Sequence, residues 1–262
     1  MQVSHPAQYD PTQLFPISRD IARAAFNIDG KLPFYGEDVW NAYELSWLSP
    51  GGIPRVAIAC FRVPAMSAFI VESKSVKLYL NSLNQSHFAS AEDVCQTIKK
   101  DLSQAVGHTV AVDLILPEYF DSLHLSSPTG LCIDSATDTT DCYEVKPEFL
   151  CIHETRATER LYSRLLRTRC PVTNQPDWAT VTIEYSGPAI DHAGLLRYLV
   201  SFREHNGFHE NCVEKIFLDI TQHCTPDRLL VQARFTRRGG IDINPVRASY
   251  PVRGTNLRLA NQ

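Results

Sequence analysis

The segment Arg167-Thr168-Arg169-Cys170-Pro171-Val172-Thr173-Asn174-Gln175-Pro176-Asp177-Trp178 sets one cysteine between arginines and a proline, with an acid seven residues on. A nucleophile and its proton donor need such residue types close together: an ordinary thiol ionises near pH ~8.5, and fixed positive charge beside it stabilises the thiolate. Cys170 is a candidate nucleophile and Asp177 its candidate acid. On a strand the arginines can equally face away from the thiol, and unreactive cysteines commonly just fill space.

Three other clusters carry chemistry. Glu72-Ser73-Lys74-Ser75-Val76-Lys77 sits where a strand should give way to a helix, with Ser73 or Ser75 able to cap it. Helix starts gather anions, and Lys74 and Lys77 lie on neighbouring turns of one face; Glu72 can instead accept hydrogen bonds from the amidine edge of a purine-like ring. His205-Asn206-Gly207-Phe208-His209-Glu210 fails the His-Glu-x-x-His zinc signature because Val213 holds the second histidine position, so metal is not expected. His209 beside Glu210 at a helix start suits a proton donor next to a ligand-binding carboxylate, or a plain surface histidine. Arg237-Arg238-Gly239-Gly240 offers guanidiniums and a pliable backbone to phosphates, or is a solvated hairpin end. No Gly-x-Gly-x-x-Gly or Walker loop occurs, so any dinucleotide is held without a Rossmann turn.

The totals narrow the class. With 262 residues, 44% hydrophobic and 21% charged, the chain reads as a globular protein of one large domain or two modest ones. A formal charge of -4 gives no sign of a nucleic-acid surface. The start, Met1-Gln2-Val3-Ser4-His5-Pro6, does not read as a secretion signal, and the apolar runs are far shorter than the ~20 residues of a membrane helix. A cytoplasmic protein with reduced thiols is expected: the eight cysteines include no pair at two-residue spacing.

The elements that must position these residues follow from periodicity. Residues 1 to about 40 read as an irregular lead-in wrapping the first domain. Ala42 to Leu48 and Arg55 to Val63 flank Ser49-Pro50-Gly51-Gly52 as a hairpin; Lys74 to Asn84 and Ala91 to Val106 have helical spacing; Thr109 to Leu116 is a strand stopped by Pro117. The second half repeats that order. Thr158 to Cys170 and Ala179 to Tyr185 read as paired strands, although the first also passes for a helix. Asp191 to Glu204, capped by Asp191, and His209 to Cys224 are helical, and Arg228 to Arg237 turns at Gly239-Gly240 into Ile241 to Asn244. Val94-Cys95, Ile98, Asp101 and Leu102 match Cys212-Val213, Ile216, Asp219 and Ile220 at a constant offset of 118 residues, a match that either duplication or helix amphipathicity produces. The polar stretch Thr137 to Lys146 is the expected linker, dividing the chain into domains 1–136 and 137–262.

Taken together, the segments Tyr43-Glu44-Leu45-Ser46-Trp47-Leu48, Glu72-Ser73-Lys74-Ser75, Leu78-Tyr79-Leu80-Asn81-Ser82, Gln175-Pro176-Asp177-Trp178, Leu196-Arg197-Tyr198-Leu199-Val200-Ser201-Phe202-Arg203 and Arg237 to Pro245 resemble the long, two-domain form of the NADPH-dependent 7-cyano-7-deazaguanine reductases, the nitrile reductases of queuosine biosynthesis. The match runs from about Leu32 to Leu259; the first 30 residues and the stretch around Ser122 to Thr140 are not anchored by it. The resemblance implies an α+β fold of tandem tunnelling-fold (T-fold) domains, each an antiparallel sheet backed by two helices, in a homodimer. It implies that Cys170 forms a covalent thioimide, with Asp177 as general acid and His209 as a candidate donor for the second reduction. It further implies that Val71, Glu72, Ser73, His209 and Glu210 bind the deazaguanine, and that Ser73, Lys74, Arg238 and Gly239 contact NADPH. Other readings are a T-fold cyclohydrolase acting on pterins or purines, which would need a metal or further histidines, and a non-catalytic purine-binding protein.

Overall fold

The structure, a computed structural model, describes residue 6, residues 8–28 and residues 30–262. The reading of Met1 to Pro6 as lacking a secretion signal lies, Pro6 apart, outside the described residues. In chain order the elements are β1 (Pro16–Ser18), α1 (Arg19–Ala24), β2 (Tyr35–Leu48), β3 (Pro54–Pro64), β4 (Phe69–Val71), α2 (Ser73–Ser82), α3 (Ala91–Val106) and β5 (Ala111–Ile115). There follow β6 (Leu125–Ser126), β7 (Leu131–Cys132), β8 (Ile152–Arg169), β9 (Pro176–Ile190), α4 (His192–Ser201), α5 (His209–Cys224), β10 (Arg228–Phe235), β11 (Ile241–Ala248) and β12 (Arg258–Leu259). The chain is α+β, its strands mostly antiparallel. Among the described residues no helix is long and apolar enough to cross a membrane.

Two compact units form, and neither is continuous in sequence. One comprises residues 1–29, 38–124 and 237–243, the other 30–37, 125–236 and 244–262. The division expected between residues 136 and 137 is therefore corrected. Composition marks linkers, whereas strand pairing assigns Arg237–Ile243 to the first unit across a long sequence separation. Residues 137–146, the expected linker, carry no helix or strand and lie inside the second unit.

In the first unit β3 lies between β5 and β2. Ser49 to Ile53 closes the β2–β3 hairpin: the Ser49 amide donates to Ile53 O at 2.9 Å, and Gly52 takes φ 82°, which glycine adopts without steric cost. Helices α2 and α3 bury Val76, Tyr79, Leu80, Leu83, Val94, Ile98, Leu102 and Val106 against Ala57, Ala59, Phe61 and Val63 of β3. The lead-in differs from the irregular segment expected. It holds a 3-10 turn (Pro11–Gln13), β1, α1 and the start of β2. These pieces are too short to show a period, and tertiary contacts hold them: β1 pairs with β4, and buried Arg19 forms an ion pair with buried Asp38 at 2.5 Å.

In the second unit β9 pairs with both β8 and β10, and β10 pairs with Val246–Ala248 of β11. The helical alternative for Thr158 to Cys170 is excluded, because β8 pairs with β9 along most of its length and that ladder overrides local arginine and leucine propensity.

The two units carry the same internal bonds, which favours duplication. In the first, Tyr79 OH donates to Asp101 Oδ2 at 2.7 Å between the two helices, Ser82 Oγ donates to Tyr79 O, and the Asp10 amide donates to Ser82 Oγ. In the second, Tyr198 OH donates to Asp219 Oδ2 at 2.6 Å, Ser201 Oγ donates to Tyr198 O, and the Lys146 amide donates to Ser201 Oγ. Amphipathicity alone does not generate matched polar bonds. Burial and the Asp219 charge push the Tyr198 phenol far above its ordinary range, so it stays a donor. Tyr198→Phe leaves the Asp219 carboxylate short of a buried donor, and chemical denaturation is expected to register a loss of about 1–3 kcal/mol.

Candidate active site

A bulge in β8 decides where the Cys170 segment faces. Leu161 and Ser163 are buried, then the register shifts between Ser163 and Leu166, and afterwards Leu166 and Thr168 are buried. An extra residue in one strand switches which side chains face the core. Arg167 and Arg169 thereby fall on the opposite face from Thr168. Both guanidiniums form ion pairs with Glu204, Arg167 at 3.1 Å, and Arg167 and Arg203 lie over the Trp178 ring. Of the two directions the sequence leaves open for these arginines, the strand takes the one away from Thr168, where their charge is met by Glu204.

Cys170 stands at the tip of the β8–β9 hairpin, half-buried, just past Arg169. Its amide donates to Gln175 O, and its carbonyl accepts from the Asn174 amide, both at 2.9 Å. A second strand of contacts pins the preceding residue: the Arg169 amide donates to His205 O at 2.8 Å and Arg169 O accepts from the Gly207 amide at 3.1 Å. In the first unit Leu48 makes the same pair of bonds with Ser86 and Phe88, so Ser49-Pro50 stands there as Cys170-Pro171 stands here. The position after the pinned residue thus carries a hydroxyl in one unit and a thiol in the other, although the turns differ in length: the Ser49 amide donates to Ile53 O and the Cys170 amide to Gln175 O.

Asp177 lies opposite Thr168 in the β8–β9 ladder and is 3% exposed. The segment that pins Arg169 runs directly into α5, whose first residue is His209. Its Nε2 lies 3.3 Å from Asp177 Oδ2. Glu210, 2% exposed, follows in the first helical turn, where a carboxylate suits the positive end of the helix dipole. Cys170, Asp177, His209 and Glu210, the second unit's candidates, are thus carried by one hairpin and the helix start tied to it. Cys212, one turn on, is a contrasting thiol: burial, then the Glu210 and Asp177 charges, push it up to about 12, so it stays protonated. Among the described residues no three His, Cys, Asp or Glu side chains converge as metal ligands do.

The other candidates belong to the first unit. Val71 is buried at the end of β4. The expected serine cap of α2 is corrected: Glu72 is the N-cap, its carboxylate accepting from the Lys74 amide at 2.9 Å and the Ser75 amide at 2.7 Å. A longer acidic side chain reaches both amides, so Ser73 becomes the first helical residue, and Ser75 Oγ bonds back to Glu72 O. Each Glu72 oxygen has a second lone pair, which leaves acceptor capacity for a ligand. Arg238 and Gly239 open a tight turn in which Gly239 and Gly240 take φ 56° and 73°. The turn borders a cavity of about 240 Å³ lined by Glu44, Lys77, Asn81 and both glycines. A Cβ on Gly240 would sit 2.5 Å from the Glu44 side chain, and one on Gly239 3.1 Å from Lys77 Cε. A glycine cradle beside a lysine suits a phosphate-bearing cofactor such as NADPH. The sequence offers Lys77 only as an anion-gathering residue and does not mark Glu44, which lines this cavity, or Phe235, whose ring stacks on that of His209; their contacts join distant elements, and no local pattern shows them.

Comparison with known proteins bears on the family of the chain. Residues 5–114 match the family described as nitrile reductase, 7-cyano-7-deazaguanine-reductase N-term, and residues 176–253 match the QueF-like protein family. Relatives named NADPH-dependent 7-cyano-7-deazaguanine reductase include those of Desulfotalea psychrophila (51% identical, covering 100% of this chain and 95% of the relative) and Bordetella avium (52%, covering 99% and 96%). A third, from Burkholderia ambifaria, is 54% identical and covers 98% of this chain and 95% of the relative. Among solved structures, apo archaeosine synthase QueF-Like covers 37% of this chain and 94% of its own length at 18% identity, with a TM-score of 0.32, too low to bear on the fold.

Proposed function

Because the chain belongs to the family of NADPH-dependent 7-cyano-7-deazaguanine reductases, we propose that it reduces the nitrile of 7-cyano-7-deazaguanine to the primary amine of 7-aminomethyl-7-deazaguanine through a thioimide on Cys170. It is an NADPH-dependent oxidoreductase of the queuosine pathway. The observation that carries the covalent reading is the second unit's hairpin, which holds Cys170 at its tip and Asp177 beside the tip in β9, with His209 Nε2 against Asp177.

A nitrile carbon is a weak electrophile, and thiolate addition with protonation of nitrogen turns it into a C=N group that accepts hydride. Cys170 Sγ bonds to the carbon while Asp177 gives its proton to the nitrogen, and the thiol's own proton restores the acid. NADPH supplies one hydride at each of two reductions. After the first, the C–S bond breaks, Cys170 leaves as thiolate and the substrate becomes an imine. His209 gives the proton that accompanies the second reduction, and the amine leaves. Retention of the imine between the two steps demands exclusion of water. Glu72 and Glu210, with Val71, Ser73 and His209, hold the deazaguanine ring; Ser73, Lys74, Arg238 and Gly239 hold the cofactor.

In this reading the matched Tyr–Asp and Ser bonds of the two units reflect tandem T-fold domains; the homodimer is proposed from the family resemblance, and size-exclusion chromatography with light scattering tests it. Purified protein with the nitrile and NADPH should bleach absorbance at 340 nm, with two NADPH consumed per amine formed; folded protein that leaves both untouched overturns the reading. Lys77→Ala removes a cation beside the glycine cradle, and the KM for NADPH is expected to rise about tenfold while that for the nitrile holds, as initial rates will show.

A further inference from the structure

The ring of Phe235 lies parallel to that of His209, with centroids 3.7 Å apart and an interplanar angle of 0°. Phe235 is the last residue of β10 and is fully buried. It pairs with Ala179, two residues after Asp177, and the next amide, Thr236 N, donates to Trp178 O at 2.9 Å. The backbone that carries Phe235 is thereby tied to the strand that carries Asp177.

A histidine at the first position of a helix turns freely about χ2, a broad torsion with little intrinsic preference. Its Nδ1 is buried without a hydrogen-bond partner among the described residues, so no bond at that nitrogen sets the plane of the ring. A parallel ring at van der Waals distance does set it. Once the plane is fixed, Nε2 points in one direction, towards Asp177 Oδ2 at 3.3 Å.

We infer that Phe235 is a positioning residue: by stacking it holds the His209 imidazole edge-on to Asp177. The inference rests on the reading that His209 donates a proton in this site. Phe235 acts through His209, so its effect must vanish when His209 is gone.

The test is a double-mutant cycle on the full chain: wild type, Phe235→Leu, His209→Ala and the pair, each assayed for kcat and KM of amine formation and for thermal unfolding. Phe235→Leu is expected to lower kcat about tenfold with the KM for the nitrile unchanged, as a slightly misplaced proton donor does. Phe235→Tyr, which keeps the stack, should restore most of the rate. In the His209→Ala background the same leucine should change kcat less than twofold. An equal loss in both backgrounds, or a wild-type rate for folded Phe235→Leu, overturns the inference. Should the leucine variant fail to fold, Phe235→Met, which fills space without a ring, replaces it in the cycle. A wild-type rate for His209→Ala would instead sink the proton-donor reading itself, a result separable from any behaviour of Phe235.

Discussion

Cys170→Ala is expected to leave a folded protein that binds the nitrile and turns nothing over, with kcat down by more than about 10⁴-fold. Cys170 lies outside the ladder proper, at a hairpin tip whose frame is made of backbone bonds to Gln175, Asn174, His205 and Gly207, so removing its side chain leaves that frame in place. The decisive measurement is intact mass. Wild-type chain mixed with nitrile and no NADPH should gain the mass of one substrate, and the alanine variant should gain none. Cys170→Ser sharpens the result, because the first unit already carries a serine at the matching position, Ser49. A hydroxyl at neutral pH adds far less readily to a nitrile than a thiolate, so the serine variant should match alanine. An adduct on Cys170→Ala would move the nucleophile elsewhere; Cys212, held protonated by burial, is poorly suited to take over.

Asp177→Asn is expected to slow amine formation by about 10²–10⁴-fold, the usual worth of a positioned general acid. Asparagine keeps the shape of a buried side chain opposite Thr168 and can still meet His209, so binding of the nitrile should survive. The predicted signature is kinetic: adduct formation followed by stopped-flow absorbance should be slow and the final mass shift unchanged. Wild-type adduct kinetics in this variant would remove Asp177 from the first step. His209→Ala separates the two proton transfers, since it should spare adduct formation and impair the second reduction, releasing imine or its hydrolysis product.

Much of the fold is legible in local pattern. The periods of Ala91 to Val106 and His209 to Cys224 mark both helices to the residue, and Gly239-Gly240 marks a turn that needs two left-handed residues. The candidate site is legible in part. Cys170, Asp177, His209 and Glu210 are named by residue type, yet nothing local says that Asp177 and His209 touch. The arginines beside Cys170 show the limit most clearly. Their direction depends on whether the strand alternates without interruption, and the bulge between Ser163 and Leu166 reverses it. Glu72 shows the opposite error, because serine is the commoner cap and only the built helix reveals a carboxylate reaching two amides.

Sequence by itself determined the kind and order of most elements after the lead-in, β8 excepted, and the residue types able to do nitrile chemistry, because periodicity and turn preference act over a few neighbouring residues. Tertiary structure decided which side chains meet. It joined Glu204 to Arg167 and Arg169, set His209 against Asp177 and Phe235, and assigned Arg237–Ile243 to the first unit. Those outcomes depend on strand register and on the entry path of α5, which arise from packing between segments far apart in the chain and leave no mark on any one of them.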